Sequence, residues 1–267
     1  MVSTFGIVNL TRDSFSDGGR FLDESSALAH ARTLLADGAT VLDLGAASTH
    51  PDAEPVTAAE EIARLEPVVR QLLREGAVLS LDTCKTEVMR AGLALGVQWL
   101  NDVNGFRGEG ALAAAAAAPR QVRFVVMFAK HRGPRAEPPA SDPTALLDEI
   151  TRFFGERLAS FASVGVPAAR LVLDPGMGFF LGRTAAPSLS VLRRLGDLRA
   201  FGVPLLVSVS RKSVIGEVTG RAVDRRGPGT LAAELWAARA GVDWIRTHDV
   251  AAFRDAWAVE SAITAAE

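Results

Sequence analysis

Two kinds of segment alternate along the chain. Stretches of helical period end at a glycine, and a short, almost uninterrupted apolar run follows. The unit reads "LLADGATVLDL", "LLREGAVLSLD", "LALGVQWLND", "FASVGVPAARLVLD", "LRAFGVPLLVSV" and "AARAGVDWIRT". Gly38, Gly76, Gly96, Gly165, Gly202 and Gly241 stand where a left-handed helix cap belongs, a conformation glycine reaches without steric cost. The apolar runs are continuous rather than alternating, as in a parallel sheet buried on both faces. The helical segments carry a one-sided stripe: in "TALLDEITRFFGERLASF" it is Leu146, Ile150, Phe153, Phe154, Leu158 and Phe161.

The predicted strands are "FGIVNL", "TVLDL", "VLSLDT", "WLNDV", "RFVVMFA", "RLVLD", "PLLVSVS" and "WIRTHD". Eight strands alternating with helices in 267 residues predict a (β/α)8 TIM barrel, one domain over residues 1–267. An open doubly wound sheet is the alternative. It fits less well, because the first loop, "NLTRDSFSDGG", is no G-x-G-x-x-G turn and no P-loop occurs. The alanine-rich "EGALAAAAAAPR" predicts a short surface helix.

Composition narrows the class. A net charge of −2 without a sustained basic run predicts no nucleic-acid partner and no acidic membrane surface. The single cysteine, Cys84, excludes an internal disulfide and suits the reducing cytoplasm. No basic, cleavable leader pattern precedes the first strand, and no apolar run reaches the ~20 residues of a membrane span. A soluble cytoplasmic protein is the expectation.

Chemistry in such barrels gathers where the strands end. Those ends carry Asn9; Asp43; Asp82; Asn101 with Asp102; Met127, then Lys130; Asp174; Ser210, Arg211 and Lys212; and Arg246, Thr247 and His248. The strand starts carry no comparable set. Asp43 and Asp102 are expected to hold loop backbone, and Cys84 to be a small packed hydrophobe. Asp82, Asn101, Asp174 and Lys212 converging on one mouth suit a flat heterocycle that bears N–H donors and a carbonyl. Arg211, Lys212, Arg246 and His248 put cations beside the seventh and eighth strands, where barrels often hold phosphate. His30 and His131 receive no role. The loops "TRDSFSDGGRFLDESS" and "GAASTHPDAEPVTAAE" are candidate lids.

The motifs "GIVNLTRDSFSDGG", "STHPDAEPV", "SLDT", "LNDV", "LDPGMGF", "SVSRKS" and "IRTHD", in this order along nearly the whole chain, resemble the dihydropteroate synthases. "HPDAEPV" and "LDPGMGFFLG" are closest to their sulfonamide-resistant, Sul-type branch. The resemblance implies a Mg²⁺-using TIM-barrel transferase. It would join 4-aminobenzoate to (7,8-dihydropterin-6-yl)methyl diphosphate, releasing diphosphate, and would work as a homodimer.

Carried over, Asp82, Asn101 and Asp174 bind the pterin edge, Lys212 reaches its carbonyl side and Met127 packs on the ring. Asn9, through Mg²⁺, holds the diphosphate with Arg246 and His248; Lys212, Arg246 and His248 are the expected catalytic groups. Thr49, Ser210 and Phe179 line the aminobenzoate pocket. Phe180, in place of a family glycine, is expected to wall off the bulkier sulfonamides. The chain departs from the family pattern at His50, at Phe180–Leu181 and at Phe128. A pterin-dependent methyltransferase and a non-catalytic pterin-binding paralogue are the alternative readings; "SVSRKS" fits the synthase better than the first.

Overall fold

The computed structural model describes residues 2–10, 20–47, 55–130, 142 and 145–266, with backbone alone at 20–23. Eight parallel strands form the barrel among these residues: β1 (Ser3–Asn9), β2 (Val41–Gly45), β3 (Leu79–Asp82), β4 (Trp99–Asp102), β5 (Arg123–Met127), β6 (Leu171–Asp174), β7 (Leu206–Val207) and β8 (Trp244–Thr247). The hydrogen-bonded order runs β6-β5-β4-β3-β2-β1-β8-β7. A parallel bridge between Leu173 and Leu205, with Leu173 N–H donating to Pro204 O at 2.9 Å, joins β6 to the β7 side and closes the ring. The fold is the (β/α)8 TIM barrel.

Around it lie α1 (Arg20–Ala36), α2 (Ala58–Arg74), α3 (Thr86–Leu95), α4 (Ala111–Ala117), α5 (Leu146–Ser163), α6 (Ala185–Arg193), α7 (Ser213–Thr219), α8 (Gly227–Arg239) and α9 (Val250–Thr264). The six glycines of the repeating unit all have positive φ, from 63° to 101°. The stripe of α5 packs inward through Leu146, Ile150, Phe153, Phe154 and Phe161. The alanine run forms α4, a seven-residue helix whose Ala111, Ala114 and Ala115 are buried.

Strand periodicity sets the barrel's interior, because side chains two residues apart point the same way. Phe5, Val41, Trp99, Val125, Val172 and Leu206 form one buried cluster with Trp244 against it. Phe5, Trp99 and Trp244 meet edge to face with centroids 5.1–5.2 Å apart, and the Arg123 guanidinium lies 4.6 Å from the Trp99 ring centre. This layer plugs the barrel near the strand starts. Two residues further along the strands stand Asp43, Asn101, Met127, Asp174, Ser208 and Arg246. The step from an apolar plug to a polar floor is a single period of the pleat.

The predicted seventh strand, "PLLVSVS", pairs over only two residues. Beyond Val207 the chain turns through Arg211, a non-glycine residue at φ 57°. That left-handed geometry is costly for a side chain bearing Cβ. Two bonds hold it: Arg211 N–H donates to Thr230 Oγ1 at 3.0 Å, and Arg226 Nη1 donates to Arg211 O at 2.8 Å. The strained turn delivers Ser208 and Ser210 to the floor and Lys212 to its edge.

Candidate active site

Arg246 organises the floor. Its Nε donates to Asp43 Oδ2 at 2.5 Å and its Nη2 to Asp82 Oδ2 at 2.7 Å, while Nη1 lies 3.5 Å from Ser208 Oγ. Burial works against the guanidinium's charge, yet Asp43 and Asp82 together raise its pKa above the ordinary value. Asn101, paired in register with Asp82, donates from Nδ2 to Asp43 Oδ2 at 3.0 Å. Asp43 Oδ1 and Asn101 Oδ1 remain buried without protein partners. Buried polar atoms cost stability when unpaired, so a ligand donor is what such a pair of acceptors suits.

Asp174 closes the opposite side of the floor. It is 1% exposed and accepts the Gly176 N–H through Oδ1 at 2.8 Å. Burial raises its pKa, with Lys212 opposing. Lys212 is pushed down to about 8 by burial, with Asp174 opposing and Arg246 adding to the fall. Burial likewise holds Asp82 above the usual carboxylate range despite Arg246.

The loop after β6 needs its glycines. Gly176 has φ 72°, and a Cβ there would lie 2.3 Å from Phe128 O, inside any tolerable contact. Gly178, at φ 68°, brings backbone against the Lys212 side chain. The turn therefore runs tightly between β5 and Lys212, carrying Phe179 and Phe180.

An apolar wall faces the acids. Val103, Met127 and Ala129 form a small cluster, with Cys84 and Phe180 packed on it. The Lys212 ammonium sits 5.2 Å from the Phe180 ring centre, and Lys130 N–H donates to Phe180 O at 3.0 Å. The mouth thus offers a hydrogen-bonding floor, a cation and a hydrophobic face to a planar ring.

The structure brings Asp82, Asn101, Met127, Asp174, Ser210, Lys212, Arg246 and His248 to one end of the barrel. Asn9 ends β1 on the same side with its side chain exposed. Phe179 and Phe180 are half-buried beside it. Thr49, His50, His131 and, in the two candidate lids, residues 11–19 and 48–54 lie outside the described residues.

The expectation that Asp43 holds loop backbone is corrected: it pairs with Arg246 and Asn101. The reason is parity, since Asp43 stands two residues after the plug residue Val41 and so points inward. Asp102 does hold backbone, accepting the Asn104 and Phe106 N–H groups at 2.8 and 2.7 Å. Cys84 packs as expected, and burial pushes its thiol up to about 11. Phe128 points away from the mouth and packs on Phe153 with ring centres 5.3 Å apart. Ser208, 3.5 Å from Arg246, was not anticipated. An acid inside the apolar run "TVLDL" was the signal for Asp43.

A strand-end site with these groups in a TIM barrel defines an enzyme that handles a flat, polar heterocycle. The comparisons with known proteins make this specific. Residues 5–248 match the family model described as pterin binding enzyme. Dihydropteroate synthase type-2 of Escherichia coli is 47% identical over 262 residues, 97% of this chain and 95% of that protein. The Xanthomonas albilineans dihydropteroate synthase solved with 4-aminobenzoic acid superimposes with a TM-score of 0.91 at 41% identity, covering 99% of this chain and 93% of that one. The same enzyme in complex with 7,8-dihydropteroate gives a TM-score of 0.86 at 40% identity, covering 99% and 94%. The chain belongs to the dihydropteroate synthase family of pterin-binding enzymes.

Proposed function

We propose that this chain condenses 4-aminobenzoate with (7,8-dihydropterin-6-yl)methyl diphosphate to give dihydropteroate and diphosphate. The observation that carries the reading is the floor of Asp82, Asn101 and Asp174 beside Lys212 and under the Met127 wall. The aminopyrimidine edge of a pterin supplies the N–H donors that these acceptors lack. Its ring carbonyl turns toward Lys212, and its face packs on Met127. Such charge-assisted, in-plane contacts select both shape and hydrogen-bond pattern.

The reaction breaks the bond between the pterin methylene and the diphosphate oxygen. It forms a carbon–nitrogen bond to the arylamine, which gives up a proton. Positive charge develops on the methylene and negative charge on the departing oxygen. His248 and the cations Lys212 and Arg246 lie on the side of the barrel where that oxygen leaves, and fixed charge is worth most in a site shielded from water. Ser210 and Phe179 line the 4-aminobenzoate side. The reaction is assayed directly, from the two purified substrates, by release of diphosphate and appearance of dihydropteroate. A soluble, folded protein that forms neither product would end this reading in favour of a pterin-binding paralogue.

Magnesium fits the residues present. No cluster of three His, Cys, Asp or Glu side chains able to hold a metal occurs among the described residues, and Asn9 presents a single exposed amide oxygen. Mg²⁺ characteristically keeps waters and substrate phosphate oxygens with only one or two protein ligands. When bound, it would neutralise charge on the diphosphate, with Asn9 as its protein contact.

Sulfonamide insensitivity is part of the proposal. Phe180 stands in the same loop as Phe179, packed on the Met127 wall and against Lys212. A 4-aminobenzoate ends in a planar carboxylate, whereas a sulfonamide ends in a tetrahedral sulfonyl with a further substituent. A stiff ring at this loop admits the first and obstructs the second. Phe180→Gly is expected to become sensitive to sulfamethoxazole while still using 4-aminobenzoate. Wild-type protein inhibited at drug concentrations near its 4-aminobenzoate KM would overturn this.

The cytoplasm is the proposed location: no helix among the described residues is long and apolar enough to cross a membrane. The homodimer is proposed on the α6–α7–α8 face. There an apolar groove of about 500 Å³ is lined by Leu189, Val214, Ile215, Val218 and Trp236. Val218 and Trp236 are 61% and 53% exposed, an apolar patch of the kind that monomers rarely leave open. Wild-type protein is expected to sediment as a dimer and Val218→Asp as a monomer. A wild-type monomer at micromolar concentration would refute it.

A further inference from the structure

Asn101 and Asp43 come from strands that are not neighbours. Between β4 and β2 stands β3, which carries the small, fully buried Ser80 in register with Asp43. Asp82 meets Arg246 inside the barrel, so Ser80, two residues before it on the strand, faces inward too. A short side chain at this level leaves the Asn101 amide free to reach across to Asp43, Nδ2 to Oδ2 at 3.0 Å. Asp43 is fully buried and Asn101 nearly so.

The same carboxylate oxygen serves a second donor. Arg246 Nε donates to Asp43 Oδ2 at 2.5 Å. A guanidinium has only N–H groups to offer, so this oxygen accepts. That settles which end of the Asn101 amide faces it. A turned-over amide would set Asn101 Oδ1 against Asp43 Oδ2, acceptor on acceptor. Only a proton on Oδ2 could join them, and the cation beside that oxygen favours the carboxylate that has none. The amide therefore spends one N–H on Asp43, and its Oδ1 is buried without a partner. Oδ1 and the second N–H are left for a ligand.

We propose that Asp43 is a positioning residue: anchored by Arg246, it fixes the Asn101 amide in one orientation and so makes the site read 2-amino rather than 2-oxo pteridines. A 2-aminopyrimidine edge presents an exocyclic N–H next to a ring-nitrogen lone pair. The fixed amide matches that order, oxygen to N–H and N–H to lone pair. A 2-oxo ring presents the reverse, a carbonyl oxygen beside a ring N–H. To receive it the amide has to turn over and give up Asp43. If it stays, a buried acceptor faces an acceptor and the desolvation of both is lost. Asp174, an acceptor on the other side of the floor, favours the same 2-amino edge, so the contribution of Asp43 is read as a change in preference. This selectivity rests on the reading that the pterin edge meets Asn101; the orientation of the amide does not.

Two substitutions separate orientation from bulk stability. Asp43→Ala removes the oxygen that fixes the amide, while Arg246 keeps Asp82 as its anion. Asp43→Asn is the conservative control. Arg246 only donates, so it draws the oxygen of the new amide toward itself, and that oxygen still accepts from Asn101.

Orientation is read in wild type, by NMR of full-length protein labelled with ¹⁵N at asparagine and arginine. The chain has three asparagines, and the Asn101 side-chain signals are those missing from Asn101→Ser. Two donors on one oxygen bring their hydrogens close together, so an NOE between the Asn101 amide and an arginine Nε–H is expected. Its absence would overturn the proposal. Selectivity is read by calorimetry with 6-hydroxymethylpterin and its 2-oxo counterpart, 6-hydroxymethyllumazine. Wild type and Asp43→Asn are expected to prefer the pterin to the same degree. Asp43→Ala should lose about tenfold of that preference, the worth of one mispaired buried acceptor. A folded Asp43→Ala with undiminished preference would overturn the selective role. A wild type that showed the NOE but bound neither pteridine would uphold the fixed amide and refute instead the pterin reading of the site. The NOE needs no change at Asp43, so it decides the orientation even where Asp43→Ala does not fold.

Discussion

Asp174→Ala is expected to weaken pterin diphosphate binding by about ten- to hundredfold or more while the barrel stays folded. The carboxylate is 1% exposed and uses one oxygen to hold Gly176 N–H. Its remaining acceptor capacity faces the site. A hydrogen bond to a charged group contributes about 1.5–3 kcal/mol, and the deletion also leaves the ligand's N–H donors desolvated without a partner. Lys212 loses the anion that opposes its burial, so its pKa should fall further below about 8 and its charge at neutral pH should shrink. Asp174→Asn keeps an oxygen for Gly176 and serves as the conservative control. Calorimetry that finds wild-type affinity in a folded alanine variant would remove Asp174 from the pterin site.

Arg246→Ala is expected to act first on stability, by about 3–5 kcal/mol, the usual cost of leaving a buried charge without its partner. Asp43 is fully buried, already carries one unpaired oxygen, and would keep only the Asn101 amide. Asp82 would lose the cation that opposes its burial, so its raised pKa should rise further. The sign with pH follows. A carboxyl whose pKa is raised on folding contributes stability that is present at low pH and lost as pH climbs through the folded value. The deficit of Arg246→Ala relative to wild type should therefore be larger at pH 8 than at pH 5. Urea unfolding at the two pH values checks it. Equal deficits would mean that Arg246 contributes packing rather than charge.

The same residue marks the boundary of what was readable beforehand. The motif "IRTHD" placed Arg246 at the mouth, and strand-end position alone put it beside the cations of the phosphate side. The fold turns its guanidinium onto Asp43 and Asp82, which stand far from it in sequence and adjacent in the barrel. Asp43 shows the converse. Its place inside an apolar run was visible, but whether it pointed to the helices or to the barrel axis depended on the pleat, and the register of eight strands sets that. Phe128 and Met127 divide the same way: adjacent in sequence, one packs on Phe153 outside the ring and the other clusters with Val103 and Ala129 at the mouth.

The amino-acid sequence by itself determined the number and order of the strands, the glycine caps, the apolar stripe of α5 and the end of the barrel where polar groups collect. These are properties of short segments, and local propensity and periodicity govern them. Tertiary structure alone decided which polar groups meet. The Arg246 bridge joins β8 to β2 and β3, and the contacts of Ser210 with Thr247 and His248 join the turn after β7 to the end of β8. Closure of the barrel brings those elements together, because hydrogen bonds and ion pairs form across distances of a few ångströms and sequence separation carries no information about such proximity.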